Sequence, residues 1–153
     1  QRRRGLNKRD IDVLKFRTMR VMEDGETVKQ ASPGDDRVTR VGRVLRRFSI
    51  DELPQLINVL RGDMSLVGPR PHAISHDTQF GNDLEEYANR HQVKPGITGL
   101  AQINGCRGQT ATTGDVAARV AHDITYIQEW SLMLDLKILF RTMGVVVSGR
   151  NAY

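Results

Sequence analysis

Phe48-Ser49-Ile50-Asp51-Glu52-Leu53-Pro54-Gln55-Leu56 sets two adjacent carboxylates between a strongly basic stretch and an apolar one. Proline is tolerated in the first turn of a helix, where its missing N–H would have no partner anyway, so a helix is predicted to begin near Asp51. From Leu53 the apolar positions Leu53, Leu56, Ile57 and Leu60 follow helical spacing and predict one buried stripe. Asp51 and Glu52 then occupy the helix start, where free N–H groups and the macrodipole favour the ionised carboxylate. An ionised Asp beside a second acid can serve as a nucleophile or a metal ligand. Ser49-x-x-Glu52 also fits a capping box, and taken alone the stretch reads first as a capped helix.

The surroundings shift that reading. Residues 36–48 predict a basic amphipathic helix, with Val38, Val41, Leu45 and Phe48 on its apolar side. Arg37, Arg40, Arg43, Arg46 and Arg47 fill the rest without a single lysine. A surface helix with solvated charges is the commoner outcome, yet guanidinium forks match phosphate geometry in a way that lysine does not. Further upstream, Ile11 to Met19 alternates in the manner of a strand, and residues 23–36 read as a polar loop. Residues 1–10 are basic and suit an anionic bilayer or a nucleic acid equally well.

Downstream, Gly62 can cap the Asp51 helix, and Pro69 and Pro71 stiffen the chain around Arg70, a fixed cation suited to phosphate. His72 and His76 are spaced for zinc on a helix, but the Glu of His-Glu-x-x-His and a third ligand are missing. A short helix is predicted over 83–91, with Leu84 and Tyr87 turned inward. Residues 93–108 read as turn, strand and turn, with four glycines in thirteen residues allowing close approach of a ligand, and Arg107 strengthening the case for phosphate. A helix over 115–130 turns Val116, Val120, Ile124 and Ile127 inward with Asp123 beside them. Ser131 caps a last helix, Leu132 to about Val147, that is more apolar than one buried face requires.

At 153 residues the chain has the size of one domain. Twenty-three Lys and Arg against eighteen Asp and Glu give a net charge of +5, which favours anionic partners. The single cysteine, Cys106, excludes an internal disulfide and points to a reducing compartment. The apolar region from Leu132 is interrupted by Asp135, Lys137 and Arg141 and is no ordinary membrane span. The fold expected is α+β: several amphipathic helices around a small β-sheet, associated with a membrane interface. Two other classes fit the basic start, a nucleic-acid-binding module and a non-catalytic membrane scaffold. Low aromatic content and carboxylates set inside the basic region weigh against nucleic acid.

Taken together, several runs resemble the bacterial sugar transferases, monotopic polyprenyl-phosphate sugar-1-phosphate transferases. They are Lys15-Phe16-Arg17-Thr18-Met19, Asp36-Arg37-Val38-Thr39-Arg40, Leu45 to Gln55, Gly62 to Pro71, Lys94-Pro95-Gly96-Ile97-Thr98-Gly99, and the segment from Asp123 to Asp135. The resemblance implies transfer of a sugar 1-phosphate from a nucleotide sugar to undecaprenyl phosphate at the cytoplasmic face of the bacterial inner membrane, with Mg²⁺. It implies Asp51 as nucleophile, Glu52 as the acid that helps hold magnesium, and Arg46, Arg70 and Arg107 as phosphate-binding residues. Asp123 and Asp135 are implied as supporting acids. Asn151-Ala152-Tyr153 and the His72 that follows Pro71 resemble the glucose phosphotransferase branch of colanic-acid-type exopolysaccharide synthesis. UDP-glucose is therefore the favoured donor, with UDP-galactose open and a homo-oligomer allowed. Cys106 stands where relatives often carry Trp. Residues 1–153 are expected to be the catalytic domain, without the membrane-dipping helix that precedes it in the family.

Overall fold

Short elements held together by coil build this chain, in a computed structural model that describes residues 1–20, 34–106 and 112–148. The basic start, read from sequence as suited to an anionic bilayer or a nucleic acid, forms a hairpin. Strand β1 (Arg2–Arg4) pairs antiparallel with β2 (Asp10–Asp12), with Arg2 opposite Asp12 and Arg4 opposite Asp10. Cross-strand charge complementarity favours that register, and an Arg4–Asp10 ion pair closes it at 2.5 Å.

Beyond β2 the strand predicted to Met19 does not continue. Pairing with Gln1 reaches Val13 and an isolated bridge joins Met19 to Val38, but between them the backbone groups of Leu14, Phe16 and Thr18 bond to scattered side chains and loop residues. Val13 is buried and Phe16 is exposed. The Leu14 N–H donates to Asn58 Oδ1 (3.0 Å), the Phe16 N–H to the Asp51 carbonyl (3.0 Å), and the Thr18 carbonyl accepts from Thr39 N–H (3.0 Å). An extended segment thus lies across the site like a strap.

Helix α1 (Arg40–Arg47) is shorter than predicted because Thr39 caps it, its hydroxyl accepting from Gly42 N–H at 2.9 Å. The predicted helix start at Asp51 is replaced by a 3₁₀ turn over Ile50–Glu52, followed by α2 (Gln55–Leu60). Ser49 sits in the left-handed region (φ 54°) and its side chain caps nothing, so the capping box does not form. The predicted buried stripe is inverted as well. Leu53, Leu56, Ile57 and Leu60 are exposed, Leu60 at 88 %, whereas Gln55 and Asn58 are buried at 2 % and 1 %. The inner side of α2 meets the 12–16 strap, whose backbone groups need polar partners, and Asn58 supplies both kinds: its Nδ2 also donates to the Asp12 carbonyl at 2.8 Å.

Strand β3 (Ser65–Val67) and β4 (Gly96–Thr98) pair in parallel, Ser65 with Gly96 and Val67 with Thr98. Gly62 ends α2 as expected, at φ 82°. The glycines of the second segment, read from sequence as an approach for ligand, admit the chain's own backbone: a Cβ on Gly96 would stand 2.1 Å from the Gly68 nitrogen. Between these strands lies α3 (Ile74–Asp83), a segment to which the sequence reading assigns no element, and a 3₁₀ stretch over Glu85–Gln92 covers most of the predicted 83–91 helix. Tyr87 is buried there, as expected.

The short α4 (Leu100–Ile103) leads to α5 (Thr113–Gln128), which opens on a capping box between Thr112 and Asp115, and to α6 (Leu132–Ser148). Ser131 Oγ accepts from Leu134 N–H at 3.2 Å, the predicted cap. Val67, Ile103, Tyr126 and Ile138 form one small core, and Phe80, Tyr87, Val116 and Val120 a second. Much of α6 remains uncovered, with Leu132, Met133, Leu136, Phe140 and Met143 exposed. No helix among the described residues is long and apolar enough to cross a membrane. Among the described residues the fold is α+β, with two two-stranded sheets in place of one.

The inverted α2 yields a first expectation. Asn58→Leu strands the Leu14 N–H and the Asp12 carbonyl, at a cost of about 1–3 kcal/mol for each buried group left without a partner. A denaturant titration should show the midpoint falling even though the substitution adds apolar bulk; an unchanged midpoint would remove Asn58 from this role.

Candidate active site

Asp51 and Glu52 project from the 3₁₀ turn toward the strap on one side and the Pro69–Pro71 segment on the other. Glu52 is held from both. Lys15 Nζ donates to its Oε1 at 2.8 Å, Arg70 Nη1 to its Oε2 at 3.0 Å, and Arg70 Nη2 closes the fork on Oε1. Burial pushes the Glu52 carboxyl up, but the Arg70 and Lys15 charges and hydrogen bonds outweigh it and hold the acid well below the usual carboxylate range. Burial draws the Lys15 ammonium below its ordinary pKa, against the pull of Glu52.

Asp51 is treated differently. Its carbonyl accepts from Phe16 N–H, yet no hydrogen bond to its carboxylate is seen among the described residues, and it is 7 % exposed. Burial raises its pKa, and the neighbouring Glu52 charge adds to that, while Lys15, Arg46 and Arg70 oppose. The sequence-based expectation that a helix start keeps Asp51 ionised is thus corrected. A 3₁₀ turn offers no aligned dipole of any length, and the surrounding cations are what favour the charged form.

Arg46, at the end of α1, is half-buried and its charge reaches Asp51. Arg3 is drawn in because β1 bridges to Ala73; burial, and then the charge of Arg70, lowers its pKa. The predicted Asp51, Glu52, Arg46 and Arg70 therefore come together. Arg107 lies outside the described residues. Asp123 does not join the pair: it sits on α5, buried against Arg90 at 2.8 Å. Asp135 anchors the turn between α5 and α6, accepting from Tyr126 Oη at 2.8 Å and Trp130 Nε1 at 3.3 Å.

Lys15 is the contact that the sequence did not assign. Its signal was present, one of two cations in the Lys15-Phe16-Arg17-Thr18-Met19 run, but only the folded strap aims it at Glu52. His72 is likewise no zinc ligand in waiting. Its Nε2 lies 3.2 Å from Arg119 Nη1 and its Nδ1 2.7 Å from Tyr87 Oη, and burial, with Arg90 and Arg119 alongside, holds it neutral. With Nε2 accepting from Arg119, Nδ1–H donating to Tyr87 and Tyr87 donating to Asp77 at 2.9 Å, those three contacts each have a donor and an acceptor, while Arg90 Nη1, 3.0 Å from Nδ1, faces it donor to donor.

Beside Glu52 and Arg70 opens a cavity of about 250 Å³ walled chiefly by Leu53, Leu56, Ile97, Ile103, Met143 and Val146. One end of it is ionic and the remainder apolar.

An acid pair in a cationic frame thus lies at the mouth of an apolar cavity. The chain belongs to the bacterial sugar transferase family, whose pattern it matches over residues 1–149. It is 58 % identical over 153 residues to a UDP-glucose:undecaprenyl-phosphate glucose-1-phosphate transferase of Caulobacter vibrioides, covering all of this chain and 57 % of that protein. It is 55 % identical over 153 residues to the protein of the same name from Escherichia coli K12, covering all of this chain and 33 % of that one. A UDP-N-acetylgalactosamine-undecaprenyl-phosphate N-acetylgalactosaminephosphotransferase of Aeromonas hydrophila is 43 % identical over 152 residues, covering 99 % of this chain and 36 % of that protein. The chain thus spans between a third and somewhat over half the length of these relatives.

The two acids have opposite linkage. Glu52, depressed in the fold, contributes stability that is present above its ordinary value of 4.5 and lost as pH falls below it. Asp51, raised in the fold, contributes stability at low pH that is lost as pH rises through its raised pKa. Asp51→Asn should therefore raise the melting temperature at neutral pH, with the gain fading in acid, whereas Glu52→Gln should lower it at neutral pH. Melting curves across the acid range check both signs.

Proposed function

We propose that this chain carries the catalytic site of a phosphoglycosyl transferase that moves glucose 1-phosphate from UDP-glucose to undecaprenyl phosphate, the first step of an exopolysaccharide repeat unit. The names of the Caulobacter and Escherichia relatives support that donor and acceptor. The observation that carries the mechanism is the division between the two acids. Both oxygens of Glu52 are taken up by Lys15 and Arg70, while the buried Asp51 carboxylate is left for chemistry.

Asp51 is the nucleophile in this reading. One carboxylate oxygen bonds to the sugar-bearing phosphorus of UDP-glucose as the bond to the bridging oxygen breaks, and UMP leaves with that electron pair. An oxygen of undecaprenyl phosphate then attacks the same phosphorus, and the bond to Asp51 breaks to restore the carboxylate. The raised basicity of Asp51 favours bond formation once it is ionised, and Arg46, Arg70 and Lys15 stabilise the charge on the transferring phosphoryl group. The donor set fits Mg²⁺, which is held by one or two carboxylates together with substrate phosphates: Glu52 would hold it, and it would neutralise charge on the diphosphate. Glu52 would have to loosen one of its two cations to do so.

The exposed apolar faces of α1, α2 and α6, with the arginines of α1 between them, support association with the cytoplasmic face of an anionic membrane. The apolar cavity beside Arg70 suits the first units of the lipid acceptor. The names of the relatives support the transfer reading over a nucleic-acid-binding module or a non-catalytic membrane module.

The test is the intact mass of the full-length protein after exposure to UDP-glucose and Mg²⁺ without lipid. A gain of one hexose phosphate, absent in Asp51→Asn, is expected; no gain in the presence of turnover would mean direct transfer. Lys15→Met should retain the adduct site but lower kcat/KM by on the order of a hundredfold, as loss of one charge-stabilising group does. Steady-state kinetics of the purified variant check it.

A further inference from the structure

We infer that Arg90 is a positioning residue: anchored on Asp123, its guanidinium fixes the carbonyl of Arg70 and so aims the Arg70 fork at Glu52. The kinetic part of this inference rests on the transfer reading above; its geometric part does not.

The argument begins with the two prolines. In Pro69-Arg70-Pro71 neither proline carries a backbone N–H, so the segment must be tied down largely through its carbonyls. Two carbonyls are held. Pro69 O accepts from Gly96 N–H at 2.9 Å, and Arg70 O accepts from Arg90 Nη2 at 2.7 Å. The first tie depends on the close approach of Gly68 and Gly96. The second is a side chain reaching from the 3₁₀ stretch over Glu85–Gln92.

Arg90 is suited to the task because its own geometry is over-determined. It is 4 % exposed. Its Nε and Nη2 both donate to Asp123 Oδ2, at 3.1 and 2.8 Å, and its Nη1 donates to Tyr87 Oη at 3.1 Å. Tyr87 in turn takes the His72 Nδ1 proton and donates to Asp77, which also accepts from His91 Nε2 at 2.9 Å. The residue after Pro71 is therefore fixed by the same network that fixes the Arg70 carbonyl. A planar fork can serve Asp123, Arg70 and Tyr87 at once in one plane; a lysine ammonium in its place cannot. Arg90, Asp123, Tyr87, His72 and Asp77 make no hydrogen bond or ion pair with Asp51 or Glu52 among the described residues. Arg90 acts through Arg70.

The test uses the full-length protein in lipid nanodiscs, with Arg90→Lys, Arg70→Lys and the double variant. Arg90→Lys should lower kcat/KM for UDP-glucose by roughly ten- to a hundredfold, the scale of small misplacements of a positioning group. In the Arg70→Lys background the same change should cost less than about twofold, because the group it positions is gone. Equal losses in both backgrounds would overturn the inference, since a general effect on the fold does not depend on Arg70. A second readout needs no turnover. The Arg70 Nε–H resonance, assigned by its loss in Arg70→Lys, should be sharp and protected in the wild type and averaged with solvent in Arg90→Lys. Its persistence there would also overturn the inference. Should Arg90→Lys fail to fold, Asp123→Asn, which removes the anchor's charge at constant size, is read by the same resonance. If the wild type makes no lipid-linked product, the transfer reading falls, and the resonance still decides whether Arg90 orders Arg70.

Discussion

The Glu52 carboxylate, gripped by Lys15 from one side and Arg70 from the other, is the interaction on which the rest of the site depends. It joins three segments that have little else in common: the strap after β2, the 3₁₀ turn after α1, and the Pro-Arg-Pro segment after β3. Taking an acid out of water is costly, and a single cation rarely offsets it. Two cations, one of them a bidentate fork, do so here, and the consequence is an acid that stays ionised. The arrangement also settles the fate of its neighbour. With Lys15 and Arg70 committed to Glu52, Asp51 feels their charge without being locked into an ion pair.

Rigidity around Arg70 is assembled from backbone packing and from a buried polar network together. Gly68 and Gly96 let two loops lie against each other at distances that a Cβ would forbid. The Arg90–Asp123 pair, with Tyr87, His72 and Asp77 behind it, ties the segment down from the opposite side. The proton order running from Arg119 through His72 and Tyr87 to Asp77 gives those three contacts one donor and one acceptor each, while Arg90 Nη1 faces the His72 Nδ1–H and the buried His91 Nδ1 has no hydrogen-bond partner among the described residues. The site is thereby presented at fixed geometry although the strands that frame it are only three residues long.

The outer surface follows a different logic. Because the strap presents bare backbone to α2, the helix turns its amides inward and its leucines out, and the leucines join Val41, Val44 and Phe48 and the open side of α6 as uncovered apolar surface. A water-soluble protein seldom leaves that much exposed without a partner. The acid pair lies at the border between a cationic pocket and an apolar face, the placement that the proposed transfer from a nucleotide sugar to a lipid phosphate calls for.

Sequence alone determined what depends on residue type and short spacing. The paired acids, the prolines that stiffen Arg70, the caps at Ser131 and Gly62, the inward positions Val116 and Val120, and the family itself were legible because each is a local signal. The tertiary structure decided where those signals pointed. Periodicity places Leu53, Leu56, Ile57 and Leu60 on one side of a helix but cannot say whether that side meets a core or the outside; the backbone laid against α2 reversed the answer. Dipole reasoning kept Asp51 charged, until the turn proved to be 3₁₀ and burial raised its pKa. Lys15 and Arg90 are separated from Glu52 and Arg70 by 37 and 20 residues, and no spacing rule links them. Their roles exist only where the fold brings a cation to an acid, or a fork to a carbonyl, because ion pairing and hydrogen bonding act over a few ångströms of space and not along the chain.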